Sequence, residues 1–165
     1  MIVGISGPAG SGKDFLAQAM VRTWPHFRVL SFATALKLEG LGRGFSAEEL
    51  FVTKPPHVRQ WLQEYGTDVC RARDPHTWID KLILLADMFA WDDLLIPDVR
   101  FPNELDMCDL TIRVHSDRPR LTGPLGTHST EHALENVAGW DLVVVNNVGT
   151  TASELIDQVR TLLVE

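Results

Sequence analysis

Residues 1–24 constrain this chain more than any other stretch. Met1-Ile2-Val3-Gly4-Ile5-Ser6 is a short apolar run. A glycine-rich turn, Gly7-Pro8-Ala9-Gly10-Ser11-Gly12-Lys13-Asp14, follows it. Phe15, Leu16, Ala19 and Met20 then recur at helical spacing until Trp24-Pro25. The order is therefore buried strand, turn and amphipathic helix. That is the setting in which G-x-x-x-x-G-K cradles phosphate: glycines let backbone N–H groups turn inward, and the helix N-terminus adds partial positive charge. Gly10, Ser11, Gly12 and Lys13 form the expected nucleotide-phosphate loop, with Lys13 directed at the β- and γ-phosphates. Asp14 stands where a Ser or Thr hydroxyl usually binds Mg²⁺. An acidic residue there suits either a metal or the helix dipole alone.

The remaining strands read as continuous apolar runs alternating with helices, which predicts a parallel α/β sheet with helices on both faces. The expected strands are residues 27–32, 94–96, 110–114 and 142–145. Residues 33–39 are expected as a helix that Gly40, Gly42 and Gly44 break, and Ser46 with Glu49 as a capping box. Val58, Trp61, Leu62, Tyr65 and Val69 mark one face of a helix, and Asp74-Pro75 the start of the next. Pro102-Asn103-Glu104 opens a short helix, and Thr151 with Glu154 caps the last one. The chain has 165 residues, 45% of them hydrophobic, and a formal charge of −7. One domain over residues 1–165 is expected, with a helical segment at about 33–90 and a long irregular loop, a candidate lid, at about 116–130. The negative charge argues against a nucleic-acid polymer or anionic membrane as partner and leaves small phosphorylated ligands open. Cys70 and Cys108 lack metal-ligand spacing, and nothing resembles a leader or a membrane span. The expectation is a cytoplasmic protein acting on a small molecule, with room for a homodimer.

Ligands of such sheets bind at the carboxyl ends of the strands. The phosphate loop, Asp98 and Arg100 all fall there. Together with Arg59, Arg118 and Arg120 they supply what phosphoryl transfer needs, which is positioning and charge neutralisation. Asp98 is placed to hold Mg²⁺ through water or to touch the acceptor; as an alternative it is a strand-end cap or the partner of Arg100. Trp78 is most simply core, with a ring against a base or sugar as the alternative. His128 with Glu131 would order the base of the lid. The metals and nucleotides implied are Mg²⁺ and ATP.

Several segments together resemble the deoxynucleoside monophosphate kinases of bacteriophages and bacteria. They are Gly10-Ser11-Gly12-Lys13-Asp14, Leu62-Gln63-Glu64-Tyr65-Gly66-Thr67-Asp68, Thr77-Trp78, Pro97-Asp98-Val99-Arg100-Phe101-Pro102-Asn103-Glu104 and His128-Ser129-Thr130-Glu131. Asp141 to Asn147, followed by the Thr151 cap, also looks like that family, in which Asp after the loop lysine is usual. The resemblance implies transfer of the ATP γ-phosphate to a deoxynucleoside 5′-monophosphate, with Mg²⁺. It assigns Lys13 and its loop to ATP, Arg59, Gly66, Thr67, Asp68, Trp78, Asp98 and Arg100 to the acceptor, and Arg118 to the lid. The metal positions are Asp14 and Asp98, and the catalytic residues Lys13, Arg100 and Arg118. Animal phosphomevalonate kinases resemble the chain more distantly. A P-loop ATPase without a small acceptor and a non-catalytic nucleotide-binding subunit are the readings from other classes.

Overall fold

The computed structural model describes residues 1–119 and 133–163. The chain divides into two compact units, one formed by Met1–Leu30 with Trp91–Glu165, the other by Ser31–Ala90.

The first unit is built on five parallel strands: β1 (Ile2–Ser6), β2 (Arg28–Val29), β3 (Leu94–Ile96), β4 (Leu110–His115) and β5 (Leu142–Val145). Their spatial order is β2-β3-β1-β4-β5, so the expected P-loop kinase-type α/β sheet is present. Strand β1 is central: the chain leaves it toward the β2 edge, and leaves its neighbour β3 toward β4 on the opposite side. That is the switch point at whose carboxyl end α/β sheets take ligands. Register puts Val3, Ile5, Leu95, Ile112, Val114 and Val144 on one face. Helices α1 (Lys13–Thr23) and α6 (Ala152–Leu163) bury Leu16, Met20, Leu155 and Val159 there. Each such side chain contributes about 1.5–3 kcal/mol. Gly4 and Ser6 point to the other face, where Cys108 and Val99 press on Gly4. The short helix α5 (Pro102–Leu105) lies between β3 and β4 in sequence.

The expected strand at 27–32 shrinks to Arg28–Val29. Its only neighbour, β3, is three residues long and offers few ladder partners. Phe32 instead begins a helix.

The second unit is helical. It runs through α2 (Phe32–Gly42), a π-helical turn (Glu48–Thr53), α3 (Pro56–Gln63), a second π-helical segment (Glu64–Arg71) and α4 (Thr77–Met88). Four expectations shift. Helix α2 continues through Gly40, which is buried because the Leu50 and Trp61 side chains close over it. The Ser46–Glu49 capping box forms, with Ser46 N–H and Oγ donating to Glu49 at 2.9 and 2.7 Å, but it opens a π-helical turn. Those donors, led by the Ser46 N–H, hold the Glu49 carboxyl below its usual range. The helix expected across 58–69 is α-helical only to Gln63. Asp74 accepts from His76 N–H at 3.0 Å as a turn, so α4 starts at Thr77 rather than beside Pro75. Among the described residues no helix is long and apolar enough to cross a membrane.

Candidate active site

The turn between β1 and α1 has the shape its glycines predict. Gly10 and Gly12 have φ of +79° and +90°, a region that L side chains enter at a cost of roughly 1–2 kcal/mol. Ser11 N–H closes a turn on Pro8 C=O at 3.1 Å, and α1 begins with Leu16 N–H on Gly12 C=O at 2.9 Å. Lys13 is buried and folds back along the loop, donating to the Gly7 and Pro8 carbonyls at 2.8 Å each. Asp14 is exposed in the first turn of α1.

Arg118 lies at the same place. Its Nη1 is 3.1 Å from where a β-carbon on Gly12 would stand. The backbone carrying it is tied to the segment after β5: Asp117 N–H donates to Asn147 Oδ1 at 3.2 Å, and Val148 N–H donates to Asp117 Oδ1 at 2.9 Å. Arg118 thus sits beside the phosphate loop on an anchored stretch. Arg120, His128 and Glu131, with residues 120–130 of the expected lid, lie outside the described residues.

The turn after β3 carries Asp98 and Arg100, both half-buried. Val99 N–H donates to Ile5 C=O at 3.3 Å, which pins this turn to β1 just before the loop. Glu104, fully buried, accepts from the Arg100 and Phe101 N–H groups at 2.6 and 3.1 Å and fixes the backbone that presents Arg100. Cys108 Sγ donates to Glu104 C=O at 3.2 Å. Burial, then the Glu104 and Asp109 charges, push the Cys108 thiol up to about 12.

The first unit therefore assembles Lys13, Asp14, Asp98, Arg100 and Arg118 at the strand carboxyl ends. The other expected residues belong to the second unit. Arg59 is exposed and its Nε donates to Lys54 C=O at 2.8 Å. Gly66 is buried where a β-carbon would meet Leu36 Cδ2 at 2.7 Å, so its small size serves close packing on α2. Trp78 is buried, its indole N–H donating to Gly66 C=O at 2.8 Å, which is the core placement of the two considered. Thr67 is half-buried and Asp68 exposed on the π-helical segment.

Two residues near the loop escaped the sequence reading. Arg113 on β4 donates to Ser6 Oγ at 3.0 Å, directly before the loop. Asn146, fully buried, donates from Nδ2 to Ser11 C=O at 2.8 Å. The available signal was position: both stand at or near the carboxyl end of a strand. A cavity of about 400 Å³ lined by Gln18, Val21, Phe27 and Val29 involves no loop residue and is set aside.

The loop's left-handed glycines and buried lysine fit a polyphosphate. For Mg²⁺ the donor set is sparse: among the described residues no group of three or more His, Cys, Asp or Glu side chains could hold a metal. This suits an ion carried chiefly by substrate phosphates with help from one or two carboxylates, Asp14 and Asp98 being the residues in place.

Fold and loop together define a P-loop α/β protein with the kinase-type sheet order. No protein-family model and no curated protein sequence matches the chain. Among solved structures it is similar to TT1252 of Thermus thermophilus, with TM-score 0.56 and 19% identity over 99% of this chain and 96% of that one. A sugar kinase from a Janibacter species, solved without ligand, gives TM-score 0.49 and 13% identity over 97% and 92%. The likeness to TT1252 is one of fold.

Proposed function

We propose that this protein is a nucleotide kinase that transfers the γ-phosphate of ATP to a deoxynucleoside 5′-monophosphate, giving ADP and the diphosphate. The observation that carries the reading is the phosphate loop at the end of β1, with buried Lys13 inside it and Arg118 against Gly12. Loop N–H groups and Lys13 would bind the β- and γ-phosphates of ATP. Arg118 and Arg100 would offset the charge that spreads over the equatorial oxygens during transfer. A Mg²⁺ ion bound with the nucleotide would supply charge neutralisation during transfer. Asp14 and Asp98 are the residues to hold it, Asp98 through water.

The acceptor class rests on the resemblance of residues 62–68 and 97–104 and on the chemistry of the cations. A phosphate oxygen is already mostly ionised at neutral pH, since a phosphomonoester's second pKa is near 6. It needs arginines rather than a base. Arg59, Thr67 and Asp68 belong to this part of the proposal; Trp78, buried in the core, does not.

The test is a coupled ADP-release assay with deoxynucleoside monophosphates, ribonucleoside monophosphates and phosphomevalonate. Stimulation by deoxynucleoside monophosphates is the expected result. Stimulation by phosphomevalonate alone moves the assignment to that kinase class, and ATP turnover indifferent to every acceptor replaces it with an ATPase.

A further inference from the structure

Asn146 is the first residue after β5, and it ties three strand ends together. Its backbone N–H donates to His115 C=O, at the end of β4, at 2.8 Å. Its Nδ2 donates to Ser11 C=O across 135 residues of chain, at 2.8 Å. The same nitrogen lies 2.0 Å from where a β-carbon on Gly12 would stand, so the amide is flat against the loop. Its Oδ1 and the Ser11 Oγ are buried and have no hydrogen-bond partner among the described residues. The bond from Nδ2 to Ser11 is the contact this side chain makes with the loop.

What Nδ2 does follows from peptide geometry. In a trans peptide the C=O and the next N–H point in opposite directions. Holding the Ser11 carbonyl toward Asn146 turns the Gly12 N–H the other way, off the side that β5 covers. The neighbouring bonds, Asp117 N–H to Asn147 Oδ1 and Val148 N–H to Asp117 Oδ1, extend the same tie to the backbone that carries Arg118.

We propose that Asn146 is a positioning residue of the nucleotide site: through Ser11 it sets the loop peptide whose N–H faces the phosphates, and it keeps that loop in register with Arg118. The inference rests on reading the loop as a nucleotide-phosphate site, and the experiment separates the two.

Mg²⁺·ADP binding is measured by calorimetry from pH 5 to pH 8 on wild type, Asn146→Ala and Asn146→Asp, with unfolding midpoints recorded without nucleotide. If wild type does not bind ADP, the nucleotide reading fails and takes this proposal with it. Given wild-type binding, Asn146→Ala should weaken ADP roughly fivefold to tenfold, the worth of one net hydrogen bond. Asn146→Asp should be weaker still at pH 8, because a carboxylate has no donor and repels phosphate. It should recover relative to wild type as the pH falls, because a protonated carboxyl regains an O–H donor. A merely structural role predicts no such recovery. Folded variants that bind ADP within twofold of wild type at pH 8, or an Asn146→Asp deficit constant across pH, overturn the proposal. Should Asn146→Ala fail to fold, the Asn146→Asp profile decides alone. Should both fail, wild-type NMR decides: the Asn146 side-chain amide protons should exchange slowly and shift on ADP addition. Fast exchange indifferent to ADP overturns the proposal equally.

Discussion

Two glycines in one loop separate backbone strain from steric contact. Gly10 and Gly12 both have left-handed φ, but a β-carbon on Gly10 meets nothing within 4 Å, while on Gly12 it lands 2.0 Å from Asn146 Nδ2 and 3.1 Å from Arg118 Nη1. Gly10→Ala should therefore cost only the conformational term, about 1–2 kcal/mol. Gly12→Ala bears the same term and must also drive the Asn146 amide away. That removes a buried bond worth about 0.5–1.5 kcal/mol net and strands the Ser11 carbonyl, a further penalty of about 1–3 kcal/mol. The expected total is about 2.5–6.5 kcal/mol, so the two variants should differ by at least about 1.5 kcal/mol. Urea unfolding followed by tryptophan fluorescence gives both stabilities, and ADP titration of the folded fraction gives the functional effect. ADP affinity should survive in Gly10→Ala and be largely lost in Gly12→Ala. Stabilities agreeing within about 0.5 kcal/mol, near the limit for ordinary surface substitutions, would refute the claim that Asn146 lies hard against the loop.

The other expectations concern charge. Lys13→Met should leave the fold intact and lower turnover by several orders of magnitude, because a fixed cation on the transferring phosphate acts most strongly in the transition state; a folded mutant with near-wild-type turnover takes the loop out of the mechanism. Asp14→Ser should keep activity but alter the Mg²⁺ requirement, since a carboxylate is exchanged for a hydroxyl, and superimposable Mg²⁺ titrations would reduce Asp14 to a helix-terminal charge. Arg118→Ala should weaken ADP binding as well as turnover, because its guanidinium stands at Gly12; unchanged ADP affinity would limit Arg118 to the transition state. Cys108, pushed up from an ordinary 9.0 to about 12, should resist iodoacetamide at pH 8 in the native protein and react after unfolding. The sign follows from linkage: the unfolded chain releases this proton first, so stability present below pH 9 is lost as pH rises from about 9 toward 12. Native labelling at Cys108 would contradict the raised thiol.

The sheet was legible because its signals are local. Four of the five strands are apolar runs with their own punctuation, β2 at Arg28–Val29 being the exception, and β5 lies where Leu142-Val143-Val144-Val145 puts it. The Thr151–Glu154 capping box is realised too, with Thr151 N–H on the Glu154 carboxylate at 2.7 Å. The π-helical stretch was not legible, and the reason is tertiary. The Gly66 carbonyl is taken by the Trp78 indole, and Gly66 is pressed on Leu36. No periodicity within residues 58–69 records demands made by α2 and α4. The site divides the same way. Lys13, Asp14, Asp98 and Arg100 follow strand ends and were readable from position. Asn146 acts on Ser11 from 135 residues away, a pairing with no trace in spacing.

The chain's negative balance and the proposed affinity for an anion are reconciled by distance. Fields of exposed carboxylates fade over a Debye length of about 8 Å at physiological ionic strength, so a formal charge of −7 says little about a pocket lined by fixed donors. Buried donors are screened far less. Lys13 is buried with its ammonium held by two carbonyls, and those carbonyls belong to the loop that would receive the phosphates. Its orientation is thus set before any ligand arrives. The backbone around Gly12 is held by Asn146 from one side, and Arg118 stands beside it. Little remains to be organised when an anion binds, which is the condition under which electrostatic stabilisation costs least at the moment of reaction. Overall charge then governs solubility, and the strand ends govern chemistry.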